Sequence, residues 1–341
     1  MVLMDPLTTI RAIHFAGCVL AAGAAAFSVL VSEPAWRRQT EVNKPIGVHD
    51  ALVGRLIWFG LTTALVSAAV WLVLVAAEIG GGSWREALLD GTVYGFLTDT
   101  QFGFVFQLRL MLAVALATLL LLPVRRREGL VNVVRPTIAV TAAALLGSLA
   151  WTGHAGGASG GDASVHLFAD ILHLLAAGIW IGGLFPLAFL LARLSRVSDR
   201  QAMAACAQML SRFSNVGVAT VTVLFASGVV NTWFLTAHMR GLIGTEYGRL
   251  VQIKIALFLV MLCLAADNRL RLLPRIARPD EERTTGALQQ LRRNVALEIA
   301  FGLAALYVVG VLGVTPPAGH IHGAQSACSA QGGPNCIASV K

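Results

Sequence analysis

GHAGGASGGDASVHLFADILHLLAAGIWIGGLFPLAFLLA, residues 153–192, joins two kinds of chain. Residues 153–164 are almost all Gly, Ala and Ser, the composition of a connecting loop, yet they carry His154 and Asp162. Residues 165–192 are apolar except for His166, Asp170 and His173, and the run exceeds the roughly 20 residues that carry a helix across a bilayer. An ionisable group inside such a run is costly and normally faces the protein interior or a wet cavity. This stretch therefore predicts a membrane helix with a polar stripe, entered from a Gly-rich loop.

The rest of the chain repeats the pattern. Of 341 residues, 56% are hydrophobic and 13% charged, against about 25% charged in a soluble domain, and the mean hydropathy is +0.73. The apolar residues fall in eight blocks, predicted as spans at about 8–31, 51–77, 104–123, 133–152, 165–192, 212–236, 249–272 and 294–314. The first block is too long for the h-region of a signal peptide and is kept as a helix. The connections alternate in charge. Segments 32–50, 124–135, 193–211 and 267–293 hold the arginine clusters, whereas 78–103, 153–164 and 237–248 are poor in Lys and Arg. Positive loops stay cytoplasmic, so both termini are expected on the outer, periplasmic side. The excess of 26 Lys+Arg over 18 Asp+Glu is thus a matter of topology, and nucleic acid is excluded as a partner. No CxxC pair and no nucleotide-binding motif occur. Segment 78–103 is expected to hold a short interfacial helix around Trp84–Leu89.

The chain also resembles itself. Thr100–Arg109 (TQFGFVFQLR) and Thr245–Lys254 (TEYGRLVQIK) both read T-[QE]-[FY]-G-x-x-x-Q-[LI]-[RK]. In the same order, Ile13-His14-Phe15 parallels Leu172-His173-Leu174, Arg55-Leu56 parallels Arg212-Phe213, and Gly153-His154 parallels Gly319-His320. An even number of spans per copy gives both copies the same orientation. The fold class is therefore an all-α integral membrane protein of eight transmembrane helices in two parallel four-helix repeats. The first repeat spans 1–152, a Gly-rich loop 153–164, the second repeat 165–314 and a periplasmic tail 315–341, whose Cys328 and Cys336 would face an oxidising compartment suited to a disulfide.

Seven of the eight histidines fall at the outer end under this topology, and His49 alone at the inner. Imidazole is a common ligand for copper, zinc, nickel and iron. His166, Asp170 and His173 stand at i, i+4 and i+7 on one helical face, with Trp180 a heptad deeper. His14 has Cys18 one turn on, a nitrogen–sulfur pair suited to a soft ion such as Cu(I). The candidate metal ligands are His14, His154, His166, Asp170, His173, His320 and His322; His238 is a weaker candidate. The bland readings stand beside these: an interfacial polar residue for His49 and His166, a small packing residue for Cys18 and Cys263. Arg109 and Lys254 are expected to snorkel to the outer interface, or else to pair with Asp170 or a bound anion. Thr100 and Thr245 are expected as helix N-caps, with Gly103 and Gly248 letting the backbone bend. Asp267 and Glu298 are the inner acids, each expected to pair with a nearby arginine.

HLFADILHLLAAGIWIGGL, RFSNVGVATVTVLFASGVVNTW and TEYGRLVQIKIALFLVMLCLAADNRLRLLP, with WTGHAG and TDTQFGFVFQLRL in the first half, resemble the copper-resistance D (CopD) family of bacterial inner-membrane proteins. The resemblance implies eight helices, copper as the metal, and uptake into the cytoplasm beside a separate periplasmic CopC-like carrier. Two mechanisms follow. In one, the protein is a copper transporter whose outer histidines capture the ion. In the other it is a haem b protein, with His14 and His173 as axial ligands, reducing periplasmic Cu(II). A copper-binding membrane partner without either activity is the third reading.

Overall fold

The computed structural model describes residues 5–36, 46–122, 128–153, 162–194, 200–236, 239–276 and 281–315. Among these there is no strand. The elements are α1 (Pro6–Phe27), α2 (Ile46–Gly80), α3 (Trp84–Leu89), α4 (Thr92–Asp99), α5 (Gln101–Leu121), α6 (Glu128–Gly147), α7 (Ala163–Ala177), α8 (Gly183–Leu194), α9 (Arg200–Thr236), α10 (Met239–Gly244), α11 (Glu246–Asp267) and α12 (Glu281–Leu312). Eight helical stretches are long and apolar enough to cross a membrane: Pro6–Ala35, Ala51–Gly80, Gln101–Leu121, Gly129–Thr152, Ala163–Arg193, Ala207–Leu235, Glu246–Ile276 and Thr285–Leu312. All eight expected spans are present, most of them longer than hydropathy alone indicates. The chain is a multi-pass membrane protein.

Local chemistry sets the helix ends. Asp5 caps α1, its carboxylate accepting from Leu7 N at 3.3 Å with Pro6 at the first helical position. Ser83 and Glu86 close a capping box on α3, the short helix expected at Trp84–Leu89. The Ser83 amide and hydroxyl hold the Glu86 carboxyl below its ordinary pKa. Thr100 and Thr245 cap α5 and α11 as expected, accepting from Gly103 N at 3.0 Å and Gly248 N at 2.9 Å.

Three spans each contain a π-helical turn, and the span Gly129–Thr152 ends in a 3-10 turn over Ser148–Thr152. Ser28–Ser32 after α1, Gly178–Gly182 between α7 and α8, and Asn268–Leu272 after α11 are π-helical turns. Pro34, Pro186 and Pro274 follow them closely. A proline has no N–H for the carbonyl four residues back, which is Leu30, Gly182 or Leu270, and each lies inside its π turn. The missing donors coincide with the local change of hydrogen-bond register, although Pro136 inside α6 lacks its N–H without a π turn.

α1 is the central element: 72% of its most apolar window is buried, more than in any other span. Gly17 meets Gly60 and Ala64 of α2, and Gly23 meets the backbone of Gly178 and Gly182. At these crossings a Cβ would strike backbone atoms, so the helices touch main chain to main chain. Gly310 near the end of α12 packs on Thr8 and Ala12 near the start of α1. The first and last spans therefore begin and finish at the same end of the bundle, the arginine-poor end that also carries α3 and α4.

Candidate functional site

His14 is 2% exposed. Its Nδ1 lies 2.9 Å from Ala64 O and 3.0 Å from Ser67 Oγ on α2. A carbonyl only accepts, so Nδ1 carries the proton and Nε2 the lone pair. That lone pair faces Cys18 Sγ at 3.7 Å and accepts from Arg109 Nη2 on α5. Arg109 is 6% exposed and does not snorkel. α5 presents it inward, to His14 and to Cys18 Sγ at 3.9 Å. The nitrogen–sulfur pair expected for a soft cation is thus occupied by a guanidinium. Trp71 lies against His14, ring centroids 5.5 Å apart, and Arg11 stands over Trp71 at 4.9 Å.

The second half has a related but distinct pocket. His173 Nδ1 lies 3.1 Å from Ser227 Oγ on α9. Ser227 donates its own proton to Val223 O at 2.7 Å, as Ser67 does to Thr63 O at 2.6 Å. The serine oxygen therefore accepts from His173 Nδ1, leaving the Nε2 lone pair without a partner among the described residues. Asp170 accepts from Asn231 Nδ2 at 3.1 Å. No ion pair or hydrogen bond joins Lys254 to Asp170 among the described residues. His166 stacks on Phe234, centroids 5.0 Å apart at 18°.

The expected face of His166, Asp170 and His173 exists, and α9 answers it with Phe234, Asn231 and Ser227. Each side chain has its own partner there. Among the described residues, no three His, Cys, Asp or Glu side chains gather as a metal ion would require. His14 and His173 make their contacts within different helix sets, α2 and α5 against α9, and share no contact. His154, His238, His320, His322, Cys328 and Cys336 lie outside the described residues, and His49 is in α2.

A third polar group lies toward the arginine-rich end. Glu298, 2% exposed, accepts from Trp180 Nε1 at 3.3 Å and Asn268 Nδ2 at 2.7 Å. Asn294 Nδ2 donates to Asn268 Oδ1 at 2.8 Å and Asp267 Oδ2 at 3.0 Å, and Gln290 reaches Asp267 at 3.1 Å. Asp267 pairs with Arg271 at 3.6 Å, as expected. Glu298 does not pair with arginine; neutral donors hold it. This ladder borders a cavity of about 300 Å³ lined by Trp180, Phe213, Asn268, Arg269 and Glu298 among others. Sequence reasoning missed the ladder because its amides sit on separate helices, and only the lone acids stood out.

These observations define an eight-span helical membrane protein with histidine, arginine, lysine and carboxyl groups enclosed between its spans. Residues 3–165 match the family model described as copper resistance protein D-like, N-terminal domain, and residues 207–312 match that of copper resistance protein D. The chain is 30% identical over 240 residues to copper resistance protein D of Pseudomonas syringae pv. tomato, covering 70% of this chain and 75% of that one. It is 31% identical over 225 residues to inner membrane protein YebZ of Escherichia coli K12, covering 66% and 72%. It is 30% identical over 236 residues to copper transport protein CutJ of Bacillus subtilis 168, covering 69% of this chain but 41% of that longer protein. No solved structure matches. The chain belongs to the copper resistance protein D family, and its role is a copper-related membrane function.

Proposed function

We propose that the protein carries copper across the bacterial inner membrane, from periplasm to cytoplasm, and so serves copper homeostasis and resistance. The observation that carries this reading is His173: an imidazole inside a span, oriented at Nδ1 by Ser227, with no hydrogen bond to Nε2 among the described residues. Neutral imidazole nitrogen is a good copper ligand. The arginine-poor end is the periplasmic one in this reading, in keeping with positive loops staying inside. Its histidines, His154, His166, His320 and His322, would take the ion from solution or from a CopC-like carrier made as a separate polypeptide.

The two halves are read as parallel repeats. Supporting this, Gln107 Nε2 donates to Leu97 O at 2.9 Å and Gln252 Nε2 to Leu242 O at 2.7 Å, the same reach of ten residues. The threonine caps and the two His–Ser pairs recur in the same order.

The test is copper bound to the purified protein together with copper uptake into vesicles, for wild type, His173→Ala and His49→Ala. Wild type and His49→Ala should bind and transport, and His173→Ala should lose both. Full copper occupancy and uptake in His173→Ala would overturn the assignment of the site. Copper binding without uptake in wild type would overturn transport.

A further inference from the structure

The pocket around His14 holds more positive charge than the described residues balance. Arg11 and Arg109 are 9% and 6% exposed, and among the described residues no carboxylate touches either. Removing an unpaired guanidinium from water carries a penalty of several kcal/mol. Buried donors left without acceptors add to it, and in native proteins such groups commonly mark a bound water or ion. Four buried donor groups of this pocket lack an acceptor among the described residues: Thr8 Oγ1, Arg11 Nε, Trp71 Nε1 and Arg109 Nε.

They form one connected group. Arg11 stands over Trp71, Trp71 lies against His14, and His14 accepts from Arg109, while Thr8 is one turn before Arg11 on α1. Both guanidinia act electrostatically on His14. Arg11 reaches its place across Gly313, where any Cβ would collide with the guanidinium.

The second half shows what is missing. Three residues before His173 stands Asp170, and three before His14 stands Arg11. Four residues after Ser227 stands Asn231, which holds Asp170, and four after Ser67 stands Trp71, which lies under Arg11. The second half carries a carboxylate, Asp170, at the place that Arg11 holds in the first. The pocket of the first half has two cations and donors but, among the described residues, no carboxylate in contact with them.

We infer that the Arg11–Trp71–Arg109 pocket binds a small oxyanion, a carboxylate or phosphate group, that supplies the absent negative charge. The guanidinium fork suits both groups. Because Thr8 and Arg11 lie in the first two turns of α1, the anion is either free in solution or the phosphate of an anionic lipid headgroup.

The experiment is calorimetric titration of the delipidated full chain in neutral detergent, with chloride as the only other anion, using inorganic phosphate and acetate. A parallel arm measures binding to phosphatidylcholine nanodiscs with and without phosphatidylglycerol. The expected result is saturable binding of one of these probes. It should be weakened at least tenfold, about 1.4 kcal/mol, in Arg11→Gln and Arg109→Gln. Binding of phosphate or acetate identifies a free anion, and binding of phosphatidylglycerol alone identifies the headgroup. Trp71→Phe and Thr8→Val, which keep both charges, should weaken binding several-fold and serve if the arginine variants do not fold. No saturable binding in any arm, or unchanged affinity in the variants that fold, would overturn the proposal.

Discussion

At the scale of single residues, His14 and His173 show how one neighbour changes what an imidazole can do. Both rings are oriented through Nδ1 toward a serine that is itself tied to its own helix. They differ at Nε2, which Arg109 engages in one pocket and which makes no hydrogen bond among the described residues in the other. Replacing Arg109 by Ala should therefore raise the copper bound per chain by exposing His14 and Cys18; an unchanged copper-to-protein ratio on metal analysis would show that the guanidinium is not the block. At Glu298 the prediction runs the other way. Glu298→Gln keeps an acceptor for Trp180 and Asn268 and should fold normally. Glu298→Ala leaves those buried donors unpaired and should lose about 1–3 kcal/mol, visible as a lower thermal midpoint in detergent. The histidines and acids were legible in the sequence because ionisable groups are rare in apolar runs. Their partners were not. Ser67 and Ser227 carry no local signal, and Arg109 was misplaced because sequence gives depth along a helix more readily than the direction a side chain takes.

At the scale of elements, caps and breakers were written locally and so could be read locally. Thr100→Ala and Thr245→Ala should each cost about 1 kcal/mol, measured by thermal unfolding of the detergent-solubilised protein. The π turns were only partly available: Pro34, Pro186 and Pro274 each remove a donor inside a span, but so does Pro136, without a π turn, and hydropathy does not register a missing N–H. The close crossings of α1 were invisible for a different reason. Many glycines look alike in sequence, and only packing separates Gly23, which meets backbone, from Gly54, whose added Cβ would meet nothing within 4 Å. Gly23→Leu should abolish the folded monomer on size-exclusion chromatography. Gly54→Ala should be tolerated, with helix propensity favouring alanine by up to about 1 kcal/mol.

At the scale of the whole molecule, composition alone indicated a membrane protein, and eight apolar blocks gave the spans. The alternation of arginine-rich and arginine-poor segments makes a prediction of its own. Reporters fused after Gly153 and after Lys341 should both read as periplasmic, and a cytoplasmic reading at either would reverse the proposed orientation. What composition could not convey is that α1 belongs to both halves. It packs on α2 through Gly17, on the Gly178–Gly182 turn through Gly23, and on α12 through Thr8 and Ala12. The gene should therefore tolerate being broken more readily than being shortened. Two separately translated polypeptides, divided between Gly153 and Asp162 and produced together, should reassemble, because the contacts of α1 with Gly178–Gly182 and α12 need no peptide bond to connect them. The carboxy-terminal piece produced alone should be degraded, its seat for Gly23 left open to lipid.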